Sequence, residues 1–222
     1  MEIANQIPMR VSDRVEKELR QLILSLQIEP GLAISEANLM KRYGWGRTPL
    51  REAFQRLAEQ SLLQIIPRHG VVITPLSVFE LVEVMDAMAL VIGPAASLAC
   101  RNLTTDELIQ LDKTIEQSKI AASNNDFTEV AAQDYDFHRL LAVATRNRYL
   151  CQYLLHLHQV ATRFNLASWK RDTNAEFSLN EHGRILTALH QHDELEARTM
   201  MLEHIDSARQ RIMGTFQPLS SS

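Results

Sequence analysis

The stretch Gly44–Leu57, GWGRTPLREAFQRL, restricts the possible folds more than any other part of the chain. Two glycines bracket Trp45, and backbone without a Cβ permits a sharp reversal. Thr48 is placed to cap a first helical turn, with Pro49 at the first helical position, where a missing N–H is harmless. Leu50, Ala53, Phe54 and Leu57 then recur at helical spacing and define one apolar face. Arg47, Thr48, Arg51 and Gln55 fall at the start and on the opposite face. Guanidinium, hydroxyl and amide groups at an exposed helix N-terminus suit a helix that meets base edges in a major groove. The same side chains also fit an ordinary solvated helix, so the neighbouring segments have to decide.

Those neighbours form an ordered set. Ser12 is placed to cap a preceding helix whose apolar face is Val15, Leu19, Leu22, Ile23 and Leu26, and Glu29-Pro30-Gly31 ends it. Ser35 opens a shorter helix, SEANLMKRY, with Leu39 and Met40 inward and Lys41 and Arg42 outward. After Leu57, the apolar runs Leu62–Ile66 and Val71–Thr74 flank Pro67-Arg68-His69-Gly70 and read as a hairpin. Three helices followed by a hairpin is the order of a winged helix-turn-helix.

The 222 residues suffice for one large domain or two modest ones. No apolar run is expected to span a bilayer, and MEIANQIPMR lacks the apolar core of a signal peptide. Cys100 and Cys151 each stand alone in apolar surroundings, which predicts buried, reduced thiols. A cytoplasmic protein with no membrane partner is the expectation. The net charge of −4 is unevenly spread. Residues 1–75 hold ten basic against eight acidic side chains, and the remainder thirteen against nineteen. Any phosphate-contacting surface must therefore be a local patch. Seven of the eight histidines lie from His138 onward, so the two parts carry different chemistry.

The boundary is expected near Pro75, giving a domain over 1–75, a second over 76–215, and a disordered tail over 216–222. Ser77 with Glu80 has the pattern of a capping box and opens a helix to about Arg101, in which Gly93-Pro94 predicts an interruption and a kink. Thr104 with Glu107 opens the next helix, Asp126 a third, Asn147 a fourth, and Asp193 with Glu196 the last; a fifth lies between, ending near His192. The fold class is thus mainly α: an N-terminal winged helix-turn-helix with a small β-hairpin, then a C-terminal all-α helical bundle long enough to bury its own core.

In the second part, Asp134 and His138 are four apart and share a helix face one turn apart. His182 on the fifth helix and His204 on the last, between Met201 and Ile205, can converge with them on one internal point. Imidazole and carboxylate donors suit zinc, nickel, manganese or iron, and the lack of thiolate argues against a closed structural zinc site. By spacing alone, the same four residues are also compatible with ordinary core packing. His156 and His158 are two apart and cannot share a face, while His190 and His192 sit at a helix C-terminus that favours positive charge.

Two resemblances bear on these alternatives. PG at 30–31, SE at 35–36, RTPLREA at 47–53, RLAEQSLL at 56–63 and RHG at 68–70 together resemble the DNA-binding domain of the GntR family of bacterial transcription regulators. The family has Val-Ser ahead of the first arginine, where this chain has Trp45-Gly46, so that serine's contact is missing here. The resemblance implies that Arg47, Thr48 and Arg51 contact bases and phosphates and that His69 and Gly70 bring the wing to the minor groove.

D-x-x-F-H at 134–138, EH-x-x-I-x-x-A-L at 181–189 and a histidine in the last helix resemble the FCD effector domain of FadR-type members, with six helices as in its VanR-like variant. This implies Asp134, His138, His182 and His204 as ligands of a divalent transition metal (zinc, nickel or manganese). It further implies a small-molecule effector, an organic acid whose carboxylate completes the coordination. A homodimer on a palindromic operator, acting as a repressor, follows from the same resemblance.

The arginine that often anchors the acid from the first effector-domain helix is absent from EVMDAMALV; Arg139 or Arg163 are the substitutes, and Met85 admits a more apolar ligand. A regulator that senses the metal itself is the alternative. A metal-dependent hydrolase would leave the first 75 residues unexplained, and no separate base or nucleophile is apparent, so an enzyme is not expected.

Overall fold

The computed structural model describes residues 10–68 and 70–216, which divide into two compact units between Pro75 and Leu76. In the first unit the order is α1 (Val11–Leu24), β1 (Ala33–Ile34), α2 (Glu36–Tyr43), α3 (Arg47–Glu59), β2 (Leu63–Ile66) and β3 (Gly70–Ile73). The expected hairpin is present, with Leu63 opposite Ile73 and Ile66 opposite Gly70. A third strand joins it: Ala33 and Ile34 pair antiparallel with Val72 and Val71, giving the order β1-β3-β2. Two residues carry no readable alternation, so β1 has no sequence signature of its own.

Val15, Leu19 and Ile23 of α1, Leu39 of α2, Leu50, Phe54 and Leu57 of α3, and Leu63 and Ile73 of the sheet close one core. Burying each large aliphatic side chain contributes about 1.5–3 kcal/mol, which is what lets so small a unit hold together. Arg56 of α3 ties down to α1 through Asp13 at 2.7 Å and Glu16 at 3.0 Å.

Several expected helix starts differ. The N-cap of α1 is Arg10 rather than Ser12, which is buried inside the first turn, and Leu26 lies past the helix end with φ +56°. The N-cap of α3 is Gly46, with no side-chain cap, so Thr48 and Pro49 each sit two residues further into the helix than expected. The turn itself follows from Gly44, whose φ of +70° ends α2 and returns its N–H to Met40 O at 2.9 Å. Trp45 is buried in that turn, stacked on Tyr43 at 4.6 Å with Nε1 donating to Glu18 at 2.8 Å. The tryptophan that departs from the family pattern is therefore a packing residue that locks α2 and the turn to α1.

Among the described residues, the second unit consists of six helices: α4 (Val78–Asn102), α5 (Thr105–Ser123), α6 (Phe127–Ala144), α7 (Arg148–Asp172), α8 (Glu176–His190) and α9 (Glu194–Phe216). Thr104 and Glu107 make the reciprocal capping box, Asp126 accepts from Glu129 N at 3.0 Å, and Asn147 accepts from Tyr149 N and Leu150 N. Ser77 precedes α4 in extended geometry but makes no capping hydrogen bond, so the Ser77–Glu80 box does not form.

The interruption expected at Gly93-Pro94 is also absent: α4 runs unbroken through Pro94. Gly93 serves a different end. A Cβ there would lie 3.0 Å from Leu202 Cδ1 and 3.2 Å from Arg198 Cγ, so the glycine permits the close approach of α4 and α9.

α4 is the central helix of the bundle, with Leu81, Met85, Met88, Ile92, Ala95, Ala96 and Ala99 buried. Contrary to expectation, it is long and apolar enough to cross a membrane, with a mean hydropathy of 1.6 over its best window. Much of this helix packs into the bundle core, while Phe79 and Leu90 are exposed. Cys100 is buried and Cys151 only partly so, and neither forms a disulfide. The helix α9 includes Phe216; the rest of the expected tail lies outside the described residues.

Candidate nucleic-acid interface and metal centre

In the first unit, the start of α3 leaves Arg47, Thr48, Arg51 and Gln55 exposed, because Leu50, Ala53, Phe54 and Leu57 take the opposite face into the core. Gly70 is exposed at the first position of β3 with φ +95°, a conformation that L side chains rarely adopt. His69 lies outside the described residues. One acidic residue joins this cationic face. Glu36, the first residue of α2, pairs with Arg51 through Nε at 3.0 Å and Nη2 at 3.2 Å, and with Arg47 Nε at 3.5 Å.

In the second unit, three of the four expected metal ligands come together closely. His138 of α6, His182 of α8 and His204 of α9 are all buried. The Nε2 atom of His182 lies 3.2 Å from that of His138 and 3.2 Å from that of His204. Asp134, one turn before His138, is buried with its Oδ1 3.6 Å from His182 Nε2 and without a hydrogen-bond partner. Among the described residues, the three histidines form the compact ligand group.

This donor set fits a divalent transition metal. Metal–nitrogen bonds of about 2.0–2.1 Å place neighbouring donors about 3.0–3.4 Å apart, the spacing of the imidazole pairs. The tautomers agree: His204 Nδ1 donates to Glu181 Oε2 at 2.9 Å, which leaves its Nε2 lone pair facing the cluster. Burial keeps His138 and His182 neutral, pushing both well below the usual imidazole range, and neutral imidazole is the ligating form. Burial also raises the Asp134 carboxyl to about 7, against the opposing pull of Arg211 and a hydrogen bond from Asn165. A buried carboxylate oxygen with no donor beside three imidazole nitrogens is what a cation would satisfy.

The surrounding shell contains residues whose role spacing did not reveal. Glu181 receives Arg211 in two-pronged fashion at 2.9 and 3.0 Å, and Ser207 at 2.6 Å, besides His204. Burial alone would raise the Glu181 carboxyl, yet these hydrogen bonds from His204, Arg211 and Ser207 hold it at about 2. Carboxylate–histidine pairs of this kind fix ligand orientation in metal sites. The EH dipeptide was the available signal: Glu181 precedes His182 but orients His204. His158, set aside on spacing, stacks on His138 with ring centroids 4.1 Å apart, and burial lowers it to about 3.

The expected effector contacts divide. Arg163 is fully buried, with Glu80 as its electrostatic counterpart, and Met85 is buried in the core. Arg139 instead stays partly exposed and binds Asp136 of its own helix at 2.7 Å, so it is engaged away from the cluster. A gap of about 10 Å³ beside His138, lined by Ile92, Ala96, Leu141 and Met201, has room for one water. A wider cleft of about 270 Å³ between α7, α8 and α9 is walled by Asn165, Ser168, Trp169, Ser178 and Arg211. Two of these wall residues, Asn165 and Arg211, are the partners of Asp134 and Glu181.

A winged helix-turn-helix followed by an all-α unit with a buried ligand-type centre defines a DNA-binding transcriptional regulator with an effector-binding domain. Residues 11–73 match the bacterial regulatory proteins of the gntR family, residues 83–207 match the FCD domain, and the chain belongs to this family of regulators.

Among its relatives, the HTH-type transcriptional regulator YdhC of Bacillus subtilis is 28% identical over 85% of this chain and 85% of its own length. The HTH-type transcriptional repressor RspR of Escherichia coli is 25% identical over 91% of this chain and 89% of its own. The solved structure of E. coli McbR/YncC superposes with a TM-score of 0.84 at 21% identity, covering 94% of this chain and 100% of that one, and shows the shared fold. The family and these relatives are transcriptional regulators rather than enzymes.

Proposed function

We propose that this chain is a repressor that binds a palindromic operator as a homodimer and is released by a small organic acid read at a metal centre. Residues 1–75 act as the DNA-binding domain and 76–215 as the effector domain. The observation that carries the metal assignment is the pair of Nε2 atoms, of His138 and His204, each 3.2 Å from that of His182 beside the orphaned Asp134 oxygen.

His138, His182 and His204 would hold the ion, with Asp134 adding a carboxylate. A zinc, nickel or manganese ion there supplies Lewis-acidic positions to which a carboxylate ligand can bind. Glu181 orients His204, Arg211 neutralises Glu181, and the apolar wall of Ile92, Ala96 and Met201 keeps bulk water from His138. The cleft at Asn165 and Arg211 gives an acid a polar approach to the residues that support the site. To regulate, the acid must bind one arrangement of the dimer better than the other.

In the first unit, Arg47, Thr48, Arg51 and Gln55 meet bases and phosphates, and His69 and Gly70 carry the wing to the minor groove. A bidentate arginine–guanine pair discriminates by about 1–3 kcal/mol.

Elemental analysis of the purified protein tests the metal centre. Near-stoichiometric metal in the wild type and none in the His182→Ala, His204→Ala double variant is expected, with both proteins still shifting DNA. Absence of metal from the wild type would reduce the histidines to core packing.

A second reading, the metal itself as the signal, is favoured by the gap of only about 10 Å³ beside His138. Chelation that abolishes operator binding, with recovery on adding metal and no acid, would select it.

A further inference from the structure

A carboxylate on a surface meant for phosphates needs a reason. Glu36 is the most protected member of its cluster, its side chain 27% exposed against 64% for Arg51 and 68% for Arg47. It grips Arg51 through Nε and one Nη2 hydrogen. That grip leaves Nη1 and the second Nη2 hydrogen, the pair that matches O6 and N7 of a guanine. Arginine is otherwise a long side chain free to settle on whichever phosphate lies nearest, and such contacts carry no sequence information. Glu36 opposes that in two ways: it orients the guanidinium, and its charge repels the DNA backbone.

We propose that Glu36 is a specificity-determining residue of the DNA face. It presents Arg51, and through Oε1 also Arg47, to base edges and weakens phosphate-only binding. This rests on the reading of α3 as the helix that meets DNA.

The test measures dissociation constants for a duplex selected by the wild type from a random pool and for unselected duplex, across a salt series. Glu36→Gln removes the charge at nearly constant shape. Unselected duplex should bind roughly fivefold to tenfold more tightly near 0.1 M salt, with a salt slope steeper by about one. The ratio of selected to unselected affinity should fall at least tenfold. Glu36→Asp keeps the charge but shortens the reach, and should lower the ratio without tightening unselected binding. Glu52→Gln, an equal charge change at an exposed position of α3, should leave the ratio unchanged.

If Glu36→Gln shifts both affinities in parallel, as Glu52→Gln does, or shifts neither, Glu36 is only a surface charge and the proposal is overturned. Arg51→Ala separates the two levels. If it keeps the wild-type ratio, the reading of Arg51 as a base contact fails, and Glu36 falls with it. If it lowers the ratio while both Glu36 variants do not, only the proposal fails. Far-UV circular dichroism melts confirm that each variant is folded.

Discussion

The two units place their functional side chains in opposite ways. In the first, Arg47, Thr48, Arg51 and Gln55 come from nine consecutive residues and face solvent, while the core behind them is made of apolar residues. In the second, His138, His182 and His204 come from three helices, are separated by as many as 66 positions, and sit inside the core. A surface that meets a polyanion needs accessible charge on a rigid support. A site that holds an ion needs converging donors shielded from water, and the bundle pays for them with buried polar groups. The winged unit can therefore alter its contacts without altering its fold, whereas in the helical unit the site and the fold are nearly the same thing.

The largest effect should come from Leu50→Ala, which empties a fully buried position behind the exposed face of α3. A loss of about 2–5 kcal/mol is expected from such a truncation. DNA binding should collapse while metal content, measured on the same sample, stays at the wild-type level. Joint loss of both would break the picture of two separately built units.

Arg51→Ala should cost about 1–3 kcal/mol of operator binding, confined to one base position, without shifting the melting temperature. Binding to a set of single-base operator variants would show this as relaxed preference at that position and nowhere else.

Glu181→Gln removes the carboxylate behind His204 and disturbs Arg211 and Ser207. Competition with a chromophoric chelator should reveal a metal affinity lower by about 10–100-fold. An unchanged affinity would mean that His204 needs no orienting partner.

The smallest test concerns pH and the metal-free protein. Burial holds His138, His158 and His182 below the usual imidazole range, so the unfolded chain binds more protons at these sites than the folded one below about pH 6.5. Asp134, raised to about 7, works the other way, because its folded form keeps a proton that the unfolded form releases. Three histidines outweigh one aspartate, and the urea midpoint should fall from pH 7.5 to pH 5.5. In the first unit no buried histidine occurs among the described residues, so a transition specific to that unit should be flatter over this range. A midpoint that rises on acidification would overturn the burial account.

Legibility in the sequence followed the same contrast. The helix at Arg47–Glu59 and its exposed arginines could be read from a fourteen-residue stretch, because local spacing decides which side of a helix is apolar. Start positions were less legible: neither Ser12 nor Thr48 became a cap, since Arg10 and Gly46 already supplied the extended residue at each N-terminus. Gly93-Pro94 resembled a break but is continuous helix, because the need at Gly93 is contact with Leu202 of α9, a residue more than a hundred positions away. Glu181 and His158 lay in plain view, yet their partners, His204 and His138, are brought to them only by helix packing.

The sequence by itself determined the helix periods, the recurring cap residues at Thr104, Asp126 and Asn147, and the identity of every donor, because these depend on neighbours within a few positions. Only the tertiary structure decided that the Nε2 atoms of His138 and His204 each lie 3.2 Å from that of His182, that Glu181 serves His204 rather than His182, and that Glu36 clamps the arginines of the next helix. Those outcomes depend on how separate helices cross, and distances between helices are set by the packing of whole faces rather than by any local rule.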